Sequence, residues 1–254
     1  MNQMRLLLKK FSLSFSLAWI TLNFTSNPTN VQAQRTISDT NQGFIQAESS
    51  REESVDFSGT GIPDKRTGGG TRRLGCPILD TPLTPLRPEY MGSTISEYPT
   101  FWVYVPYNSK QIQSGEFVLQ DVEADTEIYQ TPFTLSETPG IVRLPLPSNP
   151  QYSLKIGKTY LWFFKLFCNS QDKSVYVVVT GLIKRVPLNF SAQDYKTYAT
   201  KGIWYDALTD LADKRRRTLD DVVLKENWTA LLKAVKLENL AEVPLVECCT
   251  PEKN

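Results

Sequence analysis

Between residues 98 and 185 apolar and polar side chains alternate in short runs, and after Pro187 the period lengthens to that of a helix. The run 100–105 is β-branched and aromatic and lies between Pro99 and Pro106. Runs at 116–121, 127–131 and 140–144 follow, and the longest, 160–168 and 175–185, flank the turn-rich 169–173. Short strands separated by turn residues predict an antiparallel sandwich. Beyond Pro187, Ser191-Ala192-Gln193-Asp194 has the spacing of a capping box, with Gly202 as a stop. A second helix over 203–216 places Trp204, Ala207, Leu208, Leu211 and Ala212 on one side. Thr218 to Asp221 offers another capping box, opening a helix whose stripe is Leu224, Trp228, Leu231, Leu232 and Val235. Helices this short need a surface to pack on.

The expected fold is therefore a β-rich α+β domain. An antiparallel sandwich of the immunoglobulin or fibronectin-III kind would span 71–187, and about three docked helices would span 188–254. Leu154 and Tyr160, with a glycine turn between, resemble the tyrosine corner of such sandwiches, where the hydroxyl bonds back to the preceding loop. The alternative for Tyr160 is an ordinary tyrosine opening a strand.

Ahead of this domain the pattern differs. Arg5, Lys9 and Lys10 precede an apolar run of about 14 residues, below the ~20 that a spanning helix needs. Pro28 and Val31-Gln32-Ala33 complete the form of a secretory leader over 1–33. Residues 34–70 are polar, lack any period and end in three glycines, which predicts a disordered linker. Export to the periplasm or the extracellular space is the expected localisation. No later stretch is apolar enough to predict a transmembrane segment.

Charge and composition work mainly by exclusion. Taking the leader's three cations from the 28 Lys and Arg leaves 25 against 27 acids, a net charge of −2. That gives no general attraction for nucleic acid. The chain has no histidine, which removes Ser-His-Asp and Cys-His nucleophiles and His-ligated zinc. Carboxylate chemistry remains open. No cofactor or metal ligand set is recognisable.

The four cysteines, Cys76, Cys168, Cys248 and Cys249, are an even set in a chain expected to be exported, so disulfides are predicted. Three full pairings exist. Adjacent cysteines sit closer than the usual Cα separation of a disulfide. The favoured arrangement therefore bridges Cys76 and Cys168 each to one member of the C-terminal pair. Such loops would contribute on the order of 4–5 kcal/mol each.

Three other features are candidates for function. Asp206, Asp210 and Asp213 share one face of the second helix, as a cation or acid–base site, or as a solvated face paired to Lys214 and Arg217. The solvated face is the favoured reading. Lys214-Arg215-Arg216-Arg217 reads as an anion patch or, preferably, as cations opposing a helix dipole. Trp102 and Tyr104, on the opposite strand face from Phe101, Val103 and Val105, are a candidate ligand-stacking platform, with burial beneath the helices favoured.

Several segments together resemble a family known as domain of unknown function 928. They are Arg73-Leu74-Gly75-Cys76, the stretch 99–107 around Phe101-Trp102-Val103-Tyr104, and 116–121. The others are Gly140-Ile141-Val142, 198–208 and Cys248-Cys249. The resemblance implies an exported cyanobacterial protein and brings no reaction, cofactor or catalytic residue with it. The expected function is a non-enzymatic module that binds an envelope or extracellular protein or glycan. The rival is an exported enzyme, either a thiol–disulfide redox protein using Cys248 and Cys249 or a carboxylate hydrolase. Against the redox form, no helix follows the cysteine pair to lower a thiol pKa.

Overall fold

A computed structural model describes residues 75–191 and 194–251. The expected leader (1–33) and linker (34–70) lie outside the described residues. The chain forms β1 (Thr84–Pro85), β2 (Met91–Thr94), β3 (Thr100–Val105), β4 (Ser114–Asp121) and β5 (Thr126–Thr134). It continues through β6 (Gly140–Pro145), β7 (Thr159–Phe167) and β8 (Tyr176–Arg185). Three helices follow, α1 (Tyr195–Thr200), α2 (Trp204–Arg217) and α3 (Val222–Lys233), and then the two-residue β9 (Thr250–Pro251). The domain is thus β-rich, with its helices toward the C-terminal side.

The strands form two sheets, one ordered β1-β3-β6 and the other β2-β8-β7-β4-β5-β9. Alternation along β7 explains much of the core: Tyr160, Trp162, Phe164 and Leu166 are buried, while Leu161, Phe163 and Lys165 on the other face are half-buried. The Phe101 ring of the three-stranded sheet meets Phe117 and Trp162 of the larger sheet at centroid distances of 4.8 and 5.5 Å.

The expectation of a purely antiparallel architecture is corrected at one edge. Strand β2 pairs with β8 in parallel, Met91 opposite Leu182 through Thr94 opposite Arg185. Between β1 and β2 lies Arg87, fully buried and holding the crossover with its guanidinium. Its Nε donates to Thr180 O at 2.7 Å, and its Nη1 donates to Pro88 O and Glu89 O, each at 2.8 Å.

Both helix starts shift relative to the capping boxes read from sequence, for the same reason. An aspartate is itself the cap in each case. Asp194 accepts from Thr197 N–H at 2.9 Å to open α1, and Asp221 accepts from Leu224 N–H at 3.0 Å to open α3. After α1, Gly202 turns at φ +70°, the left-handed geometry that glycine takes without steric penalty.

The favoured cysteine pairing is also corrected. Cys76 bonds Cys168, and Cys248 bonds its neighbour Cys249. Register explains why. Thr250 lies opposite Thr134, Thr134 opposite Ser114, and Ser114 opposite Phe167. Three strand spacings, about 14 Å, therefore separate the C-terminal pair from the end of β7, twice the ~7 Å limit of a disulfide. The adjacent pair closes on itself with Cα atoms 3.7 Å apart and Cys249 at φ +65°.

Candidate functional site

The face of α2 that carries its three aspartates turns toward the stretch joining β2 to β3, and a cleft of about 280 Å³ opens between them. One wall is Thr94, Ser96, Tyr98, Pro99 and Thr100; the other is Tyr205, Asp206, Thr209, Asp210 and Asp213, with Tyr198 of α1 alongside. The amphipathic register of α2 makes this possible. Trp204, Ala207, Leu208, Leu211 and Ala212 are buried, so the intervening polar positions line the rim.

Each aspartate has a different environment. Asp206 Oδ2 accepts from Thr94 Oγ1 at 2.7 Å and from Ile95 N–H at 3.2 Å, which ties the helix to the end of β2. Burial pushes its carboxyl above the ordinary range, against the pull of those two hydrogen bonds. Asp210 accepts from Tyr195 N–H at 2.7 Å and from Lys214 Nζ at 2.5 Å. Asp213 reaches across to Arg143 Nη1 of β6 at 3.1 Å rather than along the helix to Arg217. Among the described residues, no group of three or more Cys, Asp or Glu side chains is placed to hold a metal ion. Beside the carboxylates, burial and then the charges of Asp206, Asp210 and Asp194 raise the Tyr198 phenol, so at neutral pH it stays a hydrogen-bond donor.

The shift at Asp206 has a definite sign in stability. The folded state holds this proton more tightly than the unfolded chain. The stabilisation is complete below the ordinary carboxylate value of about 3.9 and is lost as pH rises through the raised folded value. Asp206→Asn, which does not titrate, should gain in unfolding temperature relative to the wild type as pH goes from about 4 to about 7. A difference that stays flat across that series would mean the carboxyl titrates as it does in the unfolded chain.

Of the residues singled out from sequence, Trp102 belongs to this site from behind. It is 1 % exposed, and its Nε1 donates to Thr209 Oγ1 at 3.0 Å. The stacking-platform reading is corrected there: a ring sealed beneath α2 offers no face to a ligand. Tyr104 is half-buried on the same strand face, and the cleft lining does not include it. Leu154 is fully buried, and the Tyr160 hydroxyl accepts from Lys155 N–H at 2.8 Å; neither residue lines the cleft. The basic run is dispersed: Lys214 on Asp210, Arg215 over the Trp228 ring at 4.9 Å, Arg216 paired with Glu247, and Arg217 exposed.

Sequence reasoning missed Thr94, Tyr98 and Tyr198 as cleft residues. The aspartate spacing along α2 was the available signal for one wall; nothing local to 94–100 marks the other.

Comparison with protein-family models matches residues 67–245 to a Domain of Unknown Function (DUF928). Comparison with curated proteins gives no match. Among the described residues, no helix is long and apolar enough to cross a membrane.

Proposed function

The chain belongs to the DUF928 family, and from that premise we propose an exported, non-enzymatic binding module of a cyanobacterial envelope or extracellular space, whose ligand is a glycan held in the cleft on α2. The observation that carries the reading is the composition of that cleft. Tyr98 and Tyr198 supply aromatic surface, Asp206 and Asp210 supply acceptors, and Thr94, Ser96, Thr100 and Thr209 supply hydroxyls. Sugar rings present alternating C–H faces and hydroxyl edges, so they suit a lining that mixes rings with carboxylates. A volume of about 280 Å³ suits one or two sugar units.

Export is supported by the leader pattern of 1–33 and by the Cys76–Cys168 bond, which suits an oxidising compartment. The accompanying fold reading is a fibronectin-III-like sandwich. Its supports are the rings of Phe101, Phe117 and Trp162 meeting between the sheets and the Tyr160 hydroxyl on the Lys155 amide; the parallel β2 departs from that pattern.

Calorimetric titration of the purified domain with neutral oligosaccharides and with solubilised cell-wall fragments tests the proposal. Saturable binding is expected, weakened about tenfold or more by Tyr198→Ala. Heat of binding with none of the probes would remove the glycan reading. Slow cleavage of a probe, abolished in Asp206→Asn, would turn the site into that of a carboxylate hydrolase.

A further inference from the structure

The segment from Pro244 to Pro251 crosses from one sheet to the other. On the three-stranded sheet it runs along the free edge of β6: Ile141 N–H donates to Pro244 O at 2.8 Å, and Val246 N–H donates to Ile141 O at 3.0 Å. On the six-stranded sheet it ends as β9, Thr250 opposite Thr134 and Pro251 opposite Phe133, covering the last two residues of β5. Glu247, paired with Arg216, lies between these two attachments, and so does the Cys248–Cys249 ring.

The corner itself sits at Cys249, whose φ of +65° is a region that side-chain-bearing residues seldom enter. A ring closed over two adjacent residues restricts the backbone at that one place. The strand it aims is only two residues long and carries little pairing of its own. Cys248 is half-buried and open to attack, whereas Cys249 is 5 % exposed.

We propose that the Cys248–Cys249 bond is a redox-operated clasp: closed, it holds β9 on β5; opened by a dithiol, it lets β9 leave and bares the end of β5 at Phe133 and Thr134. A thiolate of the dithiol attacks Cys248 Sγ, the S–S bond breaks, and Cys249 leaves as a thiolate that takes up a proton. The second thiol of the reagent then attacks its own sulfur in the mixed disulfide and releases Cys248 as a thiol. The protein gains two electrons and two protons, and the dithiol becomes a disulfide. Without the ring, Cys249 relaxes to negative φ and Thr250 no longer faces Thr134. The β6 contact, which lies before the corner, persists. An uncovered strand edge leaves its backbone N–H and C=O groups open, so the reduced form exposes the end of β5 at Phe133 and Thr134 that the oxidised form covers.

Hydrogen–deuterium exchange on the full chain tests this. In a Cys248→Ser, Cys249→Ser double variant with Cys76–Cys168 intact, peptides covering 131–135 and the residues after Cys248 should exchange about tenfold faster than in the wild type. The peptide around Ile141 should be unchanged. If the variant does not fold, the wild type treated briefly with dithiothreitol and alkylated supplies the same reading on the species carrying two alkyl groups at Cys248 and Cys249. Equal protection in the closed and open forms would overturn the clasp. So would a reduction course in which this bond never opens before Cys76–Cys168.

Discussion

Replacing Arg87 with alanine is expected to cost about 3–5 kcal/mol of folding stability, read as a fall in the urea midpoint. The side chain is fully buried, yet its hydrogen bonds run to backbone carbonyls of two separate segments. Nε serves Thr180 of β8, and Nη1 serves Pro88 and Glu89 in the turn that leads to β2. Alanine removes the guanidinium's donors from these oxygens and empties a fully buried site, and a buried group that loses its partner costs roughly 1–3 kcal/mol. Arg87→Lys should recover only part of the loss, because one ammonium cannot span both segments as the planar fork does. A loss under about 1 kcal/mol for the alanine variant would show that the turn and β8 hold together without the guanidinium.

Trp162→Ala is expected to cost a similar amount, about 3–5 kcal/mol, by the same measurement. The indole is fully buried, lies against Phe101 and Phe117, and donates from Nε1 to the Tyr205 hydroxyl at 2.9 Å. Truncation therefore opens a cavity and also removes a donor from a phenol that burial already keeps protonated. Trp162→Phe shifts the balance of these effects: it keeps much of the ring volume while losing the hydrogen bond, worth about 1 kcal/mol, so it should cost less than alanine. The two sites are coupled. A Cβ on Gly181 would stand 2.5 Å from Arg87 Cδ and 2.6 Å from Trp162 Cε2, so both side chains close over the same glycine. Their double variant should lose less than the separate losses combined, since the first cavity already loosens the second.

Strands β3 to β8 were legible because each is a run of alternating residues between prolines, glycines or Asn/Asp turns. Their observed limits differ from the pattern by no more than a few residues. Strand β2, Met91-Gly92-Ser93-Thr94, was not legible: it has a glycine, two hydroxyls and no β-branched aliphatic. It is a strand only because β8, remote in sequence, offers it an edge. The same holds for the site. Periodicity placed the three aspartates on one face of α2, but the bland reading of that face as solvated missed Thr94 and Tyr98 closing over it. Arg87 gave no local sign of burial, since nothing around it in sequence reveals which carbonyls it will meet. The cysteine pairing failed for a geometric reason: strand order, not loop length, decided which thiols came within reach.

The parallel union of β2 with β8 has a kinetic consequence. The hydrogen bond from Thr94 to Asp206, which closes the cleft, joins residues separated by 112 positions. Contacts of that range are costly to find, because the intervening chain must surrender its freedom before they reward it. The covalent link between Cys76 and Cys168, with a separation of 92, closes an overlapping loop. In an oxidised chain the covalent path from Thr94 to Asp206, taken through that bond, is about half as long as along the backbone alone. Where the first two cysteines stand thus lowers the entropic cost of bringing the two walls of the cleft together.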